Sequence, residues 1–324
     1  MSIDNYQNML NKVSNKILSG LKYKNTIIIG DNSSGKSELL KILVEKYNGE
    51  CYFIDSINRY FDIEQIANFE LDNKSYNYIN ISEARIAENH FNIKDSFDFD
   101  CTGTGAIEKF YFVFEKELLS LFKQFLNLDF YVEFVNRGIV AEKPAAYIEN
   151  TECKISSGFQ AIIRLFLELL YFEKSLNLLK KTSGIVIIDE LNEFLSIKNE
   201  SKIFNFIMEK FPKFNFIITT HSADIIANSV DCNIVALTSD NDYEYFDGND
   251  YTTITDVREV FNEILNMENL SSLNEDDIIL RKLLNSKING LWSDDEQKVF
   301  DNMTNKKELL STTQQLILNQ IDTW

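Results

Sequence analysis

The strongest constraint on the fold is a glycine-containing segment, GDNSSGKS, which runs from Gly30 to Ser37. An apolar run, residues 26–29, precedes it, and a helix-favouring run follows it. The pattern predicts a buried strand, a tight loop and then a helix. Glycines in such a loop let backbone N–H groups point inward, and the start of the helix adds positive potential there. The segment therefore predicts a phosphate-binding loop.

Two side chains of this loop have a chemical role of their own. Lys36 is expected to neutralise phosphate charge, and the Ser37 hydroxyl is expected to bind Mg²⁺. A chance match in a glycine turn is the alternative, and the flanking strand and helix weigh against it. The expected nucleotide-binding residues of the loop are Gly30, Asn32, Ser33, Ser34, Gly35, Lys36 and Ser37.

A second segment, GIVIIDE at residues 184–190, places two acids directly after an apolar run. Asp189 is expected to hold Mg²⁺, and Glu190 to orient and deprotonate an attacking water. The alternative is that these are two solvated charged side chains at the end of a strand, without a function. Behind a phosphate-binding loop the functional interpretation is favoured, so the sequence predicts ATP and Mg²⁺ as ligands.

Two further segments lie at the ends of predicted elements: ISSGFQ at residues 155–160 and ITTHS at residues 218–222. Ser156 and Gly158 begin a predicted helix, where free N–H groups and the helix dipole favour an anion. An ordinary serine N-cap is the alternative. His221 follows an apolar run, and a lone histidine is more often structural. Because His221 lies at the end of a predicted strand, a functional role is favoured over a structural one.

Taken in order, the four segments resemble the motifs of ABC-type ATPases, over about residues 24–240. They are most similar to the SMC-like and OLD-like branch, which includes ATPases of bacterial antiphage systems. Residues 155–160 resemble the family signature LSGGQ. The resemblance implies that Ser156, Gly158 and Gln160 meet the γ-phosphate of ATP held by a second copy. It also implies that Glu190, His221 and Lys36 act in catalysis. Gln65 and Asn80 are weak candidates for the family's glutamine-loop residue, and Tyr23 for stacking on adenine.

Alternating strand and helix patterns predict an α/β fold, with a mainly parallel sheet flanked by helices. With the resemblance, this becomes an ABC-like P-loop NTPase domain over residues 1–250. A helical lid, holding a hairpin near residues 131–148, is expected at about 60–180. A helical C-terminal region is expected over 251–324, with helix starts at 274–277 and 293–297.

Bulk properties restrict the partners and the compartment. The net charge of −18 disfavours nucleic-acid binding by the chain as a whole, although a local basic groove would leave it open. The apolar runs are too short for a membrane span, and four distant cysteines suit a reducing cytoplasm. Asp240 and Asp242 resemble a nuclease acidic pair, but the polar helical sequence after them favours an acidic turn.

The leading hypothesis is a cytoplasmic ATPase that binds nucleotide between the subunits of a homodimer or larger assembly. It would act as sensor or regulator of a separate effector, such as a nuclease, in antiphage defence. One alternative is an ATP-gated assembly scaffold with negligible turnover. Another is a DNA-repair ATPase that acts on DNA directly.

Overall fold

The computed structural model describes most of the chain as two compact units, Met1–Arg258 and Glu259–Trp324. The described residues are 3–31, 33–57, 59–67, 75–87, 106–136, 142–238, 242–251, 253–255, 257, 279–280, 283, 287, 292–307, 310 and 312–323. Asn32, Asp240 and the predicted helix start at 274–277 lie outside them. Within these ranges no helix is long and apolar enough to cross a membrane.

The secondary structure follows the alternation that the sequence predicts. In chain order the strands are β1 (Asn25–Gly30), β2 (Cys51–Ile54), β3 (Phe130–Val135), β4 (Lys143–Ile148), β5 (Thr151–Glu152), β6 (Gly184–Ile188), β7 (Phe214–Thr219), β8 (Cys232–Leu237) and β9 (Tyr243–Asp247). The α-helices of the first unit are α1 (Ile3–Leu18), α2 (Lys36–Tyr47), α3 (Tyr78–Ile86), α4 (Glu115–Leu126), α5 (Ser157–Leu178), α6 (Ile197–Lys210) and α7 (Ala223–Asn228). Short 3₁₀ turns occupy Ile63–Gln65, Ile107–Val113 and Gly248–Asp250.

Six strands form the main sheet, in the order β2-β6-β7-β1-β8-β9. All neighbours are parallel except β8 and β9, which are antiparallel. Every residue of β1, β2 and β8 is buried, as expected for strands that are covered on both faces. The predicted α/β class is confirmed. Because β1, β6 and β7 run in the same direction, their carboxyl ends meet at one edge of the sheet.

A smaller antiparallel sheet, β3-β4-β5, lies in the region predicted to be a lid, together with α3, α4 and much of α5. Its first two strands form the predicted hairpin, with Tyr131 opposite Tyr147. The hairpin connection, residues 137–141, lies outside the described residues. The two-residue strand β5 had no sequence signal. The lid region is therefore not helical throughout.

Helix α1 packs against the main sheet domain through its apolar face. Met9, Leu10, Val13 and Ile17 are buried in one core with residues of β1 and α2. This is the face that the three- and four-residue spacing predicts. The N-terminal half of the helix lies beside the loop that follows β1.

The second unit contains α8 (Asp294–Asn305) and α9 (Thr312–Thr323). The amide N–H of Ser293 donates to Glu296 Oε2 at 3.1 Å, so the predicted helix start at 293–297 is confirmed. This unit has an apolar core of its own, formed by Leu280, Leu283, Met303, Leu310, Leu318 and Ile321. Leu284 and Leu291, also expected on an apolar face, lie outside the described residues.

Candidate nucleotide-binding site

The loop between β1 and α2 closes around the side chain of Lys36. Its Nζ donates to the carbonyl oxygens of Gly30, at 2.9 Å, and Asp31, at 3.0 Å. Gly35, the residue before α2, has a φ of 98°, and Ser33 has a φ of 67°. The loop thus turns sharply and delivers the chain into the first turn of a helix, which is the geometry that binds phosphates.

Lys36 is a buried cation, with 7% of its surface exposed. Burial is the largest influence on its pKa and lowers it, while the negative charges of Glu190, Asp189 and Asp31 raise it. The ammonium group therefore lies at the point where the loop meets the acidic pair. It is held there by backbone oxygens that a phosphate could replace.

Asp189 is buried, with 2% exposure, and both of its carboxylate oxygens accept a hydrogen bond. Ser37 Oγ donates to Asp189 Oδ2 at 3.0 Å, and Thr219 Oγ1 donates to Asp189 Oδ1 at 2.6 Å. Burial is the largest influence on the pKa of Asp189 and raises it, while these two hydrogen bonds lower it. The two residues predicted to hold a metal are therefore in direct contact.

Glu190 has a left-handed backbone conformation, with a φ of 48°, although it is not glycine. Its carboxylate Oε1 lies 3.6 Å from His221 Nε2. The pKa of Glu190 is lowered, mainly by hydrogen bonding to His221 and against the effect of burial. Glu190 is therefore an ionised, half-buried base beside an imidazole, at the same sheet edge as Lys36.

Asn192 holds the segment that carries His221. Its Oδ1 accepts from Thr220 Oγ1 at 2.8 Å and from the His221 amide at 3.4 Å. The end of β7 is thereby tied to the turn that follows β6. The roles of Asn192 and Thr219 were missed by sequence reasoning, because each acts through a contact between two strand ends. Thr219 lies within the segment ITTHS, but only His221 of that segment was given a role.

The backbone at these strand ends continues the hydrogen bonding of the sheet. The Asp189 amide donates to Ile54 O at 2.9 Å, and the Thr220 amide donates to Ile28 O at 3.3 Å. The Leu191 amide donates to Thr219 O at 3.0 Å. The acidic pair and the histidine are thus fixed to the same rigid framework as the loop.

The structure does not join Ser156, Gly158 and Gln160 to this cluster. Ser156 is exposed and is the N-cap of α5, where its hydroxyl accepts from the Phe159 amide at 3.5 Å. Gln160 Nε2 donates to Ile155 O at 3.2 Å. A Cβ on Gly158 would lie 3.0 Å from Phe194 O. Within one copy of the chain, Ser156 is therefore an ordinary N-cap. The start of α5 remains exposed on the surface.

Of the weaker candidates, Tyr23 lies away from the loop. Tyr23 precedes β1, and its hydroxyl donates to Asp247 Oδ2 at 3.1 Å. It lies at the opposite end of β1 from the loop, about 20 Å away at the usual strand rise, so it is too far to stack on adenine there. Gln65 is exposed on a 3₁₀ turn, and Asn80 is exposed on α3.

The residues present fit a magnesium ion that accompanies a nucleoside triphosphate. Magnesium prefers oxygen ligands and is usually held by one or two protein side chains together with waters and substrate phosphates. The hydroxyl of Ser37 and the carboxylate of Asp189 are such oxygens, already 3.0 Å apart at the start of α2. Across the described residues, no group of three or more His, Cys, Asp or Glu could hold a metal.

No protein-family model matches the chain. No curated protein matches it either. Solved structures are similar at a distance. An SMC head bound to the C-terminal winged-helix domain of ScpA is 12% identical with a TM-score of 0.31, over 52% of this chain and 48% of that one. CbiO1 from Clostridium perfringens, part of the ABC transporter complex CbiONQ, is 14% identical with a TM-score of 0.39, over 78% and 89%.

A bacterial Atm1-family ABC exporter with ATP bound is 13% identical with a TM-score of 0.35, over 72% of this chain and 36% of that one. The chain spans about half the length of the SMC head chain that it matches. The strand order and the loop geometry themselves define the class of fold, an α/β sheet with a tight glycine-containing loop between its first strand and α2.

Proposed function

We propose that this chain binds ATP with Mg²⁺ and hydrolyses it. The observation that carries the proposal is the contact between Ser37 Oγ and Asp189 Oδ2, at 3.0 Å, because it joins the phosphate loop to the acidic pair. Around this contact a cation, a general base and an imidazole face one edge of the sheet. Such an arrangement suits in-line transfer of a phosphoryl group to water.

Each side chain has one task in this reaction. Lys36 exchanges its bonds to Gly30 O and Asp31 O for phosphate oxygens, and Ser37 and Asp189 would hold the Mg²⁺. When bound, the ion neutralises charge on the phosphates. Glu190 is ionised at neutral pH because its pKa is lowered, so it can accept a proton from water as the water oxygen attacks the γ-phosphorus and the bond to ADP breaks. His221 orients the Glu190 carboxylate.

We propose further that a second copy completes the site with Ser156, Gly158 and Gln160. The support is the exposed N-terminus of α5, which offers free N–H groups to an anion. Beside Gly158, the turn after β6 carries Phe194, 53% exposed, and α6 begins with Ile197, 70% exposed. Large exposed apolar side chains are typical of a surface that binds another chain. The expected assembly is a homodimer or a larger homo-oligomer.

The wider role is proposed from the motif resemblance. In the cytoplasm, the ATPase would act as sensor or regulator of a separate effector protein, such as a nuclease, in antiphage defence. The order of the four motifs, which is similar to that of the SMC-like and OLD-like branch, supports this role.

Replacing Glu190 with Gln tests the proposed reaction. The variant removes the base and keeps the shape, so phosphate release should fall by about 10²-fold or more, as for loss of a general base. Binding of ATP should persist, and size-exclusion chromatography with light scattering should show an ATP-dependent dimer or larger assembly. Lys36→Ala is the control and should lose ATP binding.

Three outcomes decide between the candidates. Equal turnover in Glu190→Gln and wild type would refute the role of Glu190. A monomer with and without ATP, in both proteins, would exclude the shared site. ATP-dependent assembly of a wild type without turnover would favour the assembly scaffold.

A further inference from the structure

The peptide bond between Asp189 and Glu190 is held on both sides by side chains. Arg59 Nη2 donates to its carbonyl oxygen, Asp189 O, at 2.9 Å. Thr219 Oγ1 accepts from its N–H, on Glu190, at 2.7 Å. Glu190 lies just beyond the end of β6, where backbone hydrogen bonds hold the Asp189 and Leu191 amides, whereas side chains bond the N–H and C=O of the peptide between Asp189 and Glu190. Two side chains from other elements therefore set the plane of this peptide.

The conformation that they hold is an unfavourable one for glutamate. Glu190 has a φ of 48°, in the left-handed region that residues with a Cβ seldom adopt. Such a conformation persists only when its surroundings fix it. If the carbonyl loses its donor, the peptide can rotate, and the Glu190 carboxylate would turn away from His221.

The buried position of Arg59 is energetically unfavourable. Arg59 is 3% exposed, and its Nη1 makes no hydrogen bond within the described part of the chain. Burial lowers the pKa of the Arg59 guanidinium group, and the negative charges of Asp55, Glu168 and Asp189 oppose this shift without cancelling it. Stability alone favours an apolar side chain over a buried ion with an unpaired N–H. Local conflicts of this kind are expected where a residue serves function.

The segment that carries Arg59 is itself held by α5. Arg164 Nη1 donates to Tyr60 O at 3.2 Å, and Arg164 Nε bonds Glu168 Oε1 at 2.7 Å. Both partners of this second bond are on α5, and all of these groups except Tyr60 are buried. A continuous chain of polar contacts thus runs from α5 to the Asp189–Glu190 peptide.

We propose that Arg59 is a positioning residue of the hydrolytic site. It fixes the Asp189–Glu190 peptide so that the Glu190 carboxylate faces His221, and through Tyr60 and Arg164 it links that orientation to α5. The start of α5 carries Ser156 and Gly158, so movement of this helix would be felt at Glu190. The inference rests on the proposed ATPase function.

The test compares Arg59→Gln and Arg59→Lys with Arg85→Lys, all in the full chain. Arg85 is a matched control, because it is buried like Arg59, its charge also lies near Glu168, and it donates to Glu168 and to Phe53 O. For Arg59→Gln, kcat should fall roughly tenfold to a hundredfold, the effect of misplacing a catalytic group by about 1 Å. Arg59→Lys should lose less, since an ammonium can still donate one bond. KM and the affinity for a fluorescent ATP analogue should stay within about twofold of wild type.

A second measurement does not depend on turnover. His221 and His90 are the two histidines of the chain, so the His221 ring protons can be assigned by NMR with a His221→Gln variant. In both Arg59 variants the His221 ring signal should shift toward its position in Glu190→Gln, and in Arg85→Lys it should stay near wild type. This readout also serves if Arg59→Gln does not fold, because Arg59→Lys then carries the comparison.

Two results would overturn the inference. One is a loss of kcat in the Arg59 variants no larger than in Arg85→Lys. The other is an unchanged His221 signal. A wild type without turnover would refute the proposed hydrolysis, whereas the His221 signal would still decide whether Arg59 positions Glu190.

Discussion

Gly35 shows how closely single residues are constrained in the phosphate loop. Its φ of 98° suits glycine, and a Cβ at this position would collide with the hydroxyl of Tyr6 on α1. Burial, helped by the charge of Glu38, raises the pKa of this tyrosine. The N-terminal helix therefore packs directly on the loop and leaves no room for a side chain.

Gly35→Ala should abolish nucleotide binding and destabilise the fold, because it adds a collision to backbone strain. Gly20→Ala is the matched control: Gly20 has a φ of 92°, but no atom lies within 4 Å of its would-be Cβ. Gly20→Ala should cost only the strain, about 1–2 kcal/mol. Urea unfolding and binding of a fluorescent ATP analogue measure the two effects.

Tyr6→Phe in the Gly35→Ala background separates collision from strain, since it removes the hydroxyl that a Cβ would meet. The double variant should recover part of the lost free energy of unfolding. If Gly35→Ala and Gly20→Ala cost the same and bind nucleotide equally, contact with Tyr6 has no role.

The residues that the structure brings together were predictable where they follow an apolar run. Lys36, Asp189, Glu190 and His221 each come soon after a buried strand, and parallel strands bring such positions to one edge. The contacts of Arg59, Thr219 and Asn192 were not predictable, although Thr219 lies within the segment ITTHS. Their partners lie on other elements, so no local pattern indicates those contacts. Whether Ser156 acts in the site of a second copy stays a prediction.

Among the elements, α3, β2 and α5 are joined by a buried ion cluster. Glu168 on α5 accepts from Arg85 at 2.8 Å, from Arg164 at 2.7 Å and from the Tyr52 hydroxyl at 2.8 Å. Burial alone would raise the pKa of Glu168, but Arg85 and Arg164 outweigh it and lower the pKa to about 2. The carboxylate is therefore charged in the folded protein at any ordinary pH.

Glu168→Gln should destabilise the protein by about 3–5 kcal/mol at pH 7, because it removes the buried negative charge that Arg85 and Arg164 both contact. Asp129→Asn removes an exposed pair, Lys123–Asp129, and should cost no more than about 1 kcal/mol. Urea unfolding compares the two. Equal costs would mean that the cluster contributes little.

The same variant has a defined pH dependence. The pKa of Glu168 is lower in the folded state than the ordinary glutamate value of 4.5, so its contribution to stability is fully present above pH 4.5. That contribution is lost as the pH falls from 4.5 toward 2. The stability difference between wild type and Glu168→Gln should shrink over that window.

Secondary-structure elements were predicted correctly where they are long enough to show a periodic pattern. Apolar runs at 26–29, 51–54, 185–188 and 214–219 predict strands, and the helical pattern over about 158–179 predicts a long helix. The observed bounds of β1, β2, β6, β7 and α5 lie within about two residues of these ranges. Strand β5 has two residues and α7 has six, too few to establish a period. The pattern over residues 106–126 predicts a single helix, whereas the structure has the 3₁₀ turn Ile107–Val113 followed by α4.

For the whole molecule, the balance of 32 basic and 50 acidic side chains gives a net charge of −18. This field repels a phosphate backbone, so the chain alone should not bind duplex DNA at physiological salt. Fluorescence anisotropy with a labelled duplex, measured over a series of salt concentrations, checks this. Binding that weakens steeply with added salt would contradict the expectation and reveal a local basic surface.

The order of the strands could not be predicted from local sequence. Alternation of strands and helices predicts a parallel sheet, but it does not say that β1 lies between β7 and β8. That order comes from long-range packing, and it is what brings the end of β7 beside the loop after β1.

The backbone amides of Asp189 and Thr220 still donate hydrogen bonds to neighbouring strands, one residue beyond the regular strand pairing. A scaffold that is already ordered before any ligand arrives loses little conformational entropy when the ligand binds. Most of the binding free energy of a triphosphate could then favour the association of one protein molecule with another.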